Sequence, residues 1–317
     1  MATLTISAAD EKKVKARGFL SNKGTDNFSA RIITVNGKVT AEQQRVIAEA
    51  AEKFGNGTVT YTTRLTVEVP GVPYEKIDEF CEFIGKAGLV TGGTGSKVRP
   101  VVSCKGTTCQ YGLLDSFGLS EEIHHRFYEG YRQVLLPHKF KIAVGGCPNN
   151  CVKPDLNDLG IIGQRIPSYD PDDCNGCKKC AVEKACPVHA AKMTDGVMEI
   201  DPNLCNNCGR CVGTCPFDCI EDGTYGYKIY IGGRWGKSVA QGRALSKVFT
   251  DKEEALSVIE KAILLYREQG QTGERFASTI ERLGFENVEA QLLSDDILAR
   301  KQEILDAQLH LTGGATC

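Results

Sequence analysis

Hydrophobic and polar positions in the first ninety residues alternate between the period typical of strands and the period typical of helices. The pattern predicts four elements: a strand or hairpin over 28–39, a helix over 41–54, a single strand over 58–69 that ends at Pro70, and a helix over 74–87. Asn36-Gly37 provides a turn signal, Thr40 can cap the first helix, and Gly55 and Gly88 can end the two helices. This β-α-β-α order predicts an open α+β sheet with its helices on one side.

The periodic signal is weaker after residue 98. Residues 98–102 are strand-like, residues 119–135 predict a mixed, mainly helical segment, and a short strand precedes Cys147. The end of the chain is helical in pattern, with a capping box at Thr250–Glu253 and an apolar stripe formed by Leu256, Ile259, Ile263 and Tyr266. We interpret this stripe as ordinary core.

Composition excludes several classes of function. The 317 residues are 41% hydrophobic and 25% charged, as in soluble globular proteins, and no run approaches the roughly 18 apolar residues of a membrane span. The N-terminus predicts no signal peptide, so a cytoplasmic location is expected. A net charge of −2 does not favour nucleic-acid binding. Charge is unevenly distributed, however: 170–222 carry 5 − 10 = −5 and 223–247 carry +5 without an acid, which indicates a boundary.

Cysteine is the unusual component, with 15 residues, twelve of them clustered. Reduced, clustered thiols indicate metal ligands. Two near-repeats each have the pattern C-x2-C-x2-C followed by a distal Cys-Pro, as in bacterial two-cluster ferredoxins, where the distal cysteine ligates the other cluster. The rule predicts one [4Fe–4S] cluster on the Cys174 set (Cys174, Cys177, Cys180 and Cys215) and one on the Cys205 set (Cys205, Cys208, Cys211 and Cys186).

Two details of this ferredoxin-like region need comment. The first repeat has five residues rather than three before its Cys-Pro, which lengthens a loop and removes no ligand. A pair of structural zinc sites is the alternative, but zinc sites usually combine two pairs of ligands, and the third cysteine of each repeat fits that poorly. Cys219 is interpreted as a core cysteine. The five histidines, His310 included, form no ligand-spaced set.

The remaining pairs, Cys104 with Cys109 and Cys147 with Cys151, resemble the signature of the sulfite and nitrite reductase family. The block from Leu136 to Cys151 is similar to that family's Pro-Arg-Lys-Phe-Lys…Cys-x3-Cys block, and matching segments surround Arg64, Arg99, 232–237 and 273–276. The first pair has x4 rather than the commoner x5, and His138 stands where arginine is usual. Within the family, a short chain with an inserted ferredoxin resembles the catalytic subunits of anaerobic sulfite reductases.

The resemblance implies a third [4Fe–4S] cluster on Cys104, Cys109, Cys147 and Cys151, coupled to sirohaem through Cys151 as the axial ligand of the haem iron. It also implies that Arg64, Arg99, Lys139 and Lys141 bind sulfite. The two lysines, two apart on a strand, point to one face. Further cations are candidates for the sirohaem carboxylates: Arg31, Lys105, Arg132, Arg165, Arg234, Lys237 and Arg243. The alternatives are solvated surface charges and three ordinary clusters without haem.

These inferences combine into an α+β fold with sulfite-reductase-like sheets. We predict a ferredoxin-like half over 1–87, a sirohaem and cluster domain over 88–168 and 223–275, an inserted two-cluster ferredoxin over 169–222 and a helical tail over 276–317. The predicted function is an oxidoreductase acting on sulfur group donors: six-electron reduction of sulfite to sulfide. Sirohaem-dependent nitrite reduction and a non-catalytic polyferredoxin are the alternatives. Gly92–Gly95 is a weak nucleotide motif, so electrons are expected from an iron–sulfur subunit and a flavin/NADH subunit.

Overall fold

The computed structural model describes residues 6–309 of the chain. In the N-terminal part, strands and helices follow the predicted order, preceded by one further helix and strand. The elements are α1 (Ala8–Ala16), β1 (Phe19–Ser21), β2 (Asn27–Ile32), α2 (Ala41–Phe54), β3 (Thr60–Tyr61), β4 (Val67–Pro73) and α3 (Ile77–Gly85). The strands form an antiparallel sheet in the order β1-β2-β4-β3. Phe28, Ala30 and Ile32 of β2 share a core with α2 and α3, which leaves Arg31 on the opposite face.

Helix α2 begins and ends where the sequence predicts. The Thr40 hydroxyl accepts the backbone N–H of Gln43, and the Gln43 side chain accepts the N–H of Thr40, which completes a capping box. The helix ends at Phe54, with Gly55 in an extended conformation. Its buried face is formed by Ile47, Ala50, Ala51 and Phe54.

The prediction of a single strand over 58–69 is wrong. The segment is a hairpin of β3 and β4 whose turn carries Arg64, and β4 continues beyond Pro70 to Pro73. The turn is held by the Thr62 hydroxyl, which accepts the N–H groups of Arg64 and Thr66, while Leu65 takes a left-handed φ of 56°. Alternating threonines fit a strand and such a turn equally well, so the pattern alone did not separate them.

The central sheet has five strands, in the order β11-β10-β7-β6-β5, with β5, β6 and β7 parallel and the others antiparallel. A long helix, α6, packs its buried stripe on this sheet. The elements from residue 102 to the end of α6 are β5 (Val102–Ser103), α4 (Ser116–Ile123), β6 (Ile142–Gly145), β7 (Leu159–Pro167), α5 (Ala181–Ala185), β8 (Ala191–Thr194), β9 (Val197–Ile200), β10 (Gly223–Ile231), β11 (Arg243–Phe249) and α6 (Lys252–Gln269).

Two boundaries in this half differ from the predictions. The segment predicted as mixed and mainly helical over 119–135 begins earlier and ends earlier: α4 is followed by a π-helical turn, His124–Glu129. Helix α6 is capped by Asp251, whose carboxylate accepts the N–H of Glu254 at 2.8 Å, and not by Thr250. Aspartate is at least as good a cap as threonine, so the shift by one residue follows from the choice between two adjacent capping residues.

Residues 168–222 leave and re-enter the fold at one hairpin. Strands β7 and β10 pair without interruption from Leu159 opposite Ile231 to Pro167 opposite Gly223. The intervening insert contains α5, the β8–β9 hairpin and a small core of its own, formed by Val182, Ala191, Met198, Cys219 and Ile220. Cys219 is therefore in that core, as the sequence predicts.

Helical residues close the described part of the chain: α7 (Phe276–Leu283), α8 (Phe285–Leu293), α9 (Asp296–Ala299) and α10 (Lys301–Asp306). The predictions that concern His310 and the last part of the tail lie outside the described residues. Among residues 6–309, no helix is both long and apolar enough to cross a membrane.

Candidate active site and cluster sites

Four cysteines meet at the carboxyl ends of β5 and β6. The Cys147 thiol is partly buried and lies close enough to Cys104, Cys151 and Cys109 for burial and those neighbouring thiols to raise its pKa. The two cysteine loops touch through glycines: a Cβ on Gly106 would lie 2.8 Å from the Gly146 Cα. The Cys104 sulfur accepts the N–H of Gly146 at 3.1 Å, a contact suited to a thiolate.

The crossover from β6 to β7 joins these cysteines to a second group of polar residues. It starts at Cys147, passes through Cys151, which is the most exposed of the four thiols, and ends at Asn157 and Asp158. The Arg64 guanidinium donates to the Asn157 side-chain oxygen at 2.6 Å. One short segment therefore connects the cysteine loops to the turn of the N-terminal hairpin.

Five cations from four segments of the chain line one cavity of about 230 Å³. Arg31 comes from β2, Arg64 from the β3–β4 turn, and Arg99 from the segment between α3 and β5. Lys139 and Lys141 come from the residues before β6. The four residues predicted to bind sulfite thus lie together, with one of the predicted sirohaem-binding cations. Among the lining residues that the structure describes there is no acid, although Glu68 pairs with Arg31 at 2.7 Å.

The cavity concentrates positive charge on partly buried side chains. Burial lowers the pKa of Arg64 to about 10, and burial together with the charges of Arg64 and Arg275 lowers the pKa of Lys141 to about 8. Burial and the adjacent Lys139 lower the pKa of His138 to about 4, so its imidazole is neutral at pH 7. Such crowding of cations is unfavourable in the absence of an anion, which makes the cavity a suitable site for one.

Sequence reasoning missed the ion pair that orders this region. Asp158 is fully buried, and both of its carboxylate oxygens lie 2.9 Å from the Arg275 guanidinium. The same carboxylate accepts the N–H of Lys141 at 2.9 Å, so it fixes the backbone that presents Lys141 to the cavity. The only sequence signal was the match at 273–276, which contains Arg275.

The eight cysteines of the insert separate into two groups. One cavity of about 60 Å³ is lined by all members of the Cys174 set, and a second, of about 20 Å³, by all members of the Cys205 set. Backbone N–H groups donate to several of the sulfurs, as at Cys174 (3.3 Å, from Met198) and Cys186 (3.2 Å, from Ala190). Backbone donors to sulfur stabilise thiolate ligands. Cysteine thiols with such donors are suitable ligands for [4Fe–4S] clusters, and a cluster on each set stays a prediction.

The other predicted sirohaem-binding cations lie outside the 230 Å³ cavity. Arg132 donates to the carbonyl of Thr91, Arg165 pairs with Asp222, and Arg234 donates to Ser278. Arg243 pairs with Glu286 and stacks on Phe285, while Lys105 and Lys237 are exposed. Their assignment to a cofactor carboxylate remains a prediction.

Comparison with known proteins gives the fold a family. Residues 94–297 match the family model described as the nitrite and sulphite reductase 4Fe-4S domain, and residues 21–86 match the nitrite/sulfite reductase ferredoxin-like half domain. The chain belongs to the nitrite and sulfite reductase family. Membership supports binding of an iron–sulfur cluster and sirohaem, for which the four cysteines at β5 and β6 and the adjacent cations are suitable donors.

Individual relatives agree with this family. The chain is 32% identical over 247 residues to a coenzyme F420-dependent sulfite reductase of Methanocaldococcus jannaschii, covering 77% of this chain and 38% of that protein. It is 34% identical over 188 residues to a subunit of the anaerobic sulfite reductase of Salmonella typhimurium, covering 53% and 51%. The fold is similar to that of a dissimilatory sulfite reductase (TM-score 0.67, 22% identity, covering 84% of this chain and 69% of that one). The chain thus spans about half or less of the length of these two sequence relatives.

Proposed function

We propose that the chain is the catalytic subunit of a sirohaem-dependent sulfite reductase, with electrons supplied through its own ferredoxin-like insert. One observation carries the proposal: Arg31, Arg64, Arg99, Lys139 and Lys141 converge on a single cavity at the end of a crossover that starts at the four-cysteine site. The names of the relatives that contain a comparable chain support sulfite as the substrate.

The overall reaction consumes six electrons and seven protons, converting SO₃²⁻ to HS⁻ and three molecules of water. Sirohaem with its coupled cluster supplies the electron-rich iron and the single-electron steps, and Cys104, Cys109, Cys147 and Cys151 hold that cluster. The cations of the cavity hold the oxyanion and stabilise the negative charge that accumulates on each departing oxygen. Lys141, with a pKa of about 8, is suited to donate a proton there and regain it from solvent.

The ion pair of Asp158 with Arg275 acts through Lys141. Because the carboxylate holds the backbone N–H of Lys141, the side chain leaves that point in a fixed direction. The Asn157 oxygen likewise orients Arg64. These groups pre-organise the cations before the anion enters, which is the condition under which fixed charges stabilise a transition state most.

Electron supply is assigned to the insert and to other subunits. We propose that residues 169–222 form a two-cluster ferredoxin domain between the two parts of the sirohaem-binding domain, 88–168 and 223–275, with 1–87 as the ferredoxin-like half and 276–317 as the tail. An iron–sulfur subunit and a flavin/NADH subunit are the proposed donors, in line with the multi-subunit enzyme to which the Salmonella relative belongs by name. Cytoplasmic location is part of the proposal.

Anaerobic purification followed by iron analysis and absorption spectroscopy tests this function. We expect about twelve cluster irons and one haem iron per chain, with the red absorption band of a chlorin-type macrocycle. Turnover with sulfite should exceed turnover with nitrite at equal concentration. About eight irons with no red band would show an electron-transfer module instead, and faster turnover with nitrite would replace sulfite by nitrite as the substrate.

A further inference from the structure

The two cluster sites of the insert differ in what they touch. At the Cys205 set, the N–H of Arg165 in β7 donates to the carbonyl of Asn207 at 2.8 Å, and Arg165 pairs with Cys208 as in a parallel sheet. Gly209 lies so close that a Cβ there would be 2.7 Å from the Arg165 Cβ. This set is therefore seated directly on a strand of the central sheet.

A second contact joins the Cys205 set to the four-cysteine site. The Arg210 guanidinium lies 4.8 Å from the centroid of the Tyr111 ring, a cation–π distance. Tyr111 is two residues after Cys109, on the first cysteine loop of the four-cysteine site. The N–H of Leu113 on this loop donates to the carbonyl of Gly146 at 2.8 Å, which joins it to the second cysteine loop. Arg210 is itself adjacent to Cys211, so one side-chain contact connects the ligand loops of two cluster sites.

The Cys174 set has no equivalent contact among the described residues. Every residue that lines its cavity belongs to the insert, from Cys174 to Cys219. Phe217, which lines the same cavity, is 47% exposed, and Lys179 beside it is also exposed. Because both side chains are exposed, this face of the insert is accessible to another protein.

We propose that electrons enter at the Cys174 set and leave through the Cys205 set, and that Arg210 and Tyr111 are positioning residues that seat the Cys205 set beside the four-cysteine site. The inference rests on the proposed function. Each transfer moves one electron: the reduced donor is oxidised as the Cys174 cluster is reduced, that cluster is reoxidised as the Cys205 cluster is reduced, and the Cys205 cluster is reoxidised as the coupled centre is reduced. The donor is a one-electron iron–sulfur protein.

Substitutions at the contact test the seating. With a reduced bacterial ferredoxin as the donor, which is too large to enter the 230 Å³ cavity, freeze-quench EPR and absorption would follow each centre. In Arg210→Ala and Tyr111→Ala we expect unchanged iron and sirohaem content and unchanged reduction of the first cluster. Reduction of the sirohaem should slow by about two- to fivefold, the factor that corresponds to an exposed cation–π contact of about 0.5–1 kcal/mol.

A conservative variant provides the matched control. Tyr111→Phe keeps the ring face and removes only the hydroxyl, so its sirohaem should be reduced at the wild-type rate. Equal rates in Tyr111→Ala, Arg210→Ala and the wild type would overturn the seating role. Equal slowing in Tyr111→Phe and Tyr111→Ala would also overturn it, since the ring would then not be the group that matters.

The order of the two sites has its own test, in variants that disable one set at a time. In Cys208→Ser, ferredoxin should reduce the Cys174 cluster while the sirohaem stays oxidised; in Cys177→Ser, reduction of the remaining centres by ferredoxin should itself be slowed. Sirohaem reduction that survives Cys208→Ser would overturn the order. If a variant fails to fold, the freeze-quench order of the cluster signals in the wild-type protein decides. If the wild-type protein contains no sirohaem, the proposed function is rejected but the inference on electron order is still tested. Reduction of the four-cysteine cluster in the same variants then shows whether electrons pass from the Cys174 set to the Cys205 set.

Discussion

At the scale of single residues, the site is defined by five cations that line one cavity, and the described lining of that cavity contains no acid. An exposed lysine contributes little and is easily replaced, whereas a charge fixed in a partly dehydrated cavity acts strongly on an anion. Lys139 and Lys141 both line the cavity, and the backbone N–H of Lys141 is fixed by Asp158. The two lysines are therefore the residues whose removal separates binding of the cofactors from their use.

Lys139→Ala and Lys141→Ala should retain both cofactors and lose activity. The loss of one pre-organised donor typically lowers the rate by ~10²–10³, and the neighbouring arginines favour the lower end for each single variant. Iron content, the absorption spectrum and steady-state sulfite reduction measure this. Lys86→Ala removes an exposed lysine at the end of α3 and should have near-normal activity. Intact cofactors with near-normal turnover in the double variant would remove the lysines from the site.

Affinity for sulfite should fall as the pH rises through about 8. Burial and the charges of Arg64, Arg275 and Lys139 lower the pKa of Lys141 to about 8, although Asp158 opposes this shift. Lys141 is therefore charged at pH 7. Above pH 8 it loses its proton and attracts the anion less. The KM for sulfite should then increase between about pH 7 and 9. Lys141→Arg, whose guanidinium stays protonated over this range, should shift the increase to higher pH. An identical pH profile in that variant would assign the titration to another group.

Candidate ligands could be predicted from the sequence where the spacing of cysteines is itself typical of a cluster site. Each of the two cavities of the insert is lined by one of the cysteine sets that the spacing groups together, and ligation of a cluster by each set stays a prediction. Asp158 and Arg275 were not predictable as a pair, since they are 117 residues apart and the family-like segment 273–276 around Arg275 does not indicate its partner. A buried ion pair that forms across the fold is a property of the tertiary structure.

At the scale of elements, close approach of two glycine loops creates the four-cysteine site. Gly106 and Gly146 face each other with no room for a side chain, and the Cβ of an alanine at 106 would lie 2.8 Å from the Gly146 Cα and 2.9 Å from the Ser116 hydroxyl. Backbone cannot yield as a flexible side chain can. The parallel strands β5 and β6 bring the cysteines to one edge of the sheet, and the glycines let them meet.

Gly106→Ala should therefore damage one cluster site and leave the other two. We expect the loss of about four cluster irons together with the sirohaem spectrum, while the ferredoxin-type EPR signals of the insert persist. Gly85→Ala is a matched control because its Cβ meets nothing within 4 Å and its backbone is helical. Full iron content and a normal spectrum in Gly106→Ala would show that the loops do not need this contact.

Element boundaries show which local signals decided the fold. The start of α2 was predictable because Thr40 and Gln43 form a reciprocal cap that needs no distant partner. The β3–β4 hairpin was not, because Thr62, Leu65 and Thr66 suit a strand as well as they suit the observed turn. The error matters for function, since the turn is what brings Arg64 to Asn157 and into the cavity.

At the scale of the whole molecule, the insert is attached to the rest of the fold through one hairpin and a small contact surface. Pro167 and Gly223 are directly opposite each other at the end of the β7–β10 ladder, so the sheet closes without residues 168–222. The charge of the chain changes at the same point, because residues 170–222 are acidic and the strand that follows carries only basic charges.

Replacing residues 169–221 by Asn-Gly should leave the four-cysteine site and its sirohaem in place. Two residues of this type close an antiparallel hairpin in a type I′ turn when a hydrogen-bonded pair flanks them, and the N–H of Ser168 already donates to the carbonyl of Asp222 at 3.0 Å. Arg165 keeps Asp222 and loses Asn207 as a partner, and it lies near the end of the hairpin, where water can replace that contact. We expect the loss of about eight irons, which are those of the two clusters of the insert.

The kinetics of that variant distinguish electron supply from catalysis. Reduced methyl viologen is small enough to reach the coupled centre directly, so sulfite reduction with it should continue, whereas reduction by ferredoxin should fall to the background rate. The full-length chain, assayed with both donors, is the reference. If the variant is folded by circular dichroism but binds no sirohaem, the insert contributes to the haem site itself. The proposed ligand sets would then be wrong. Residues between 168 and 222, to which we assign only electron transfer, would also be needed for the four-cysteine site.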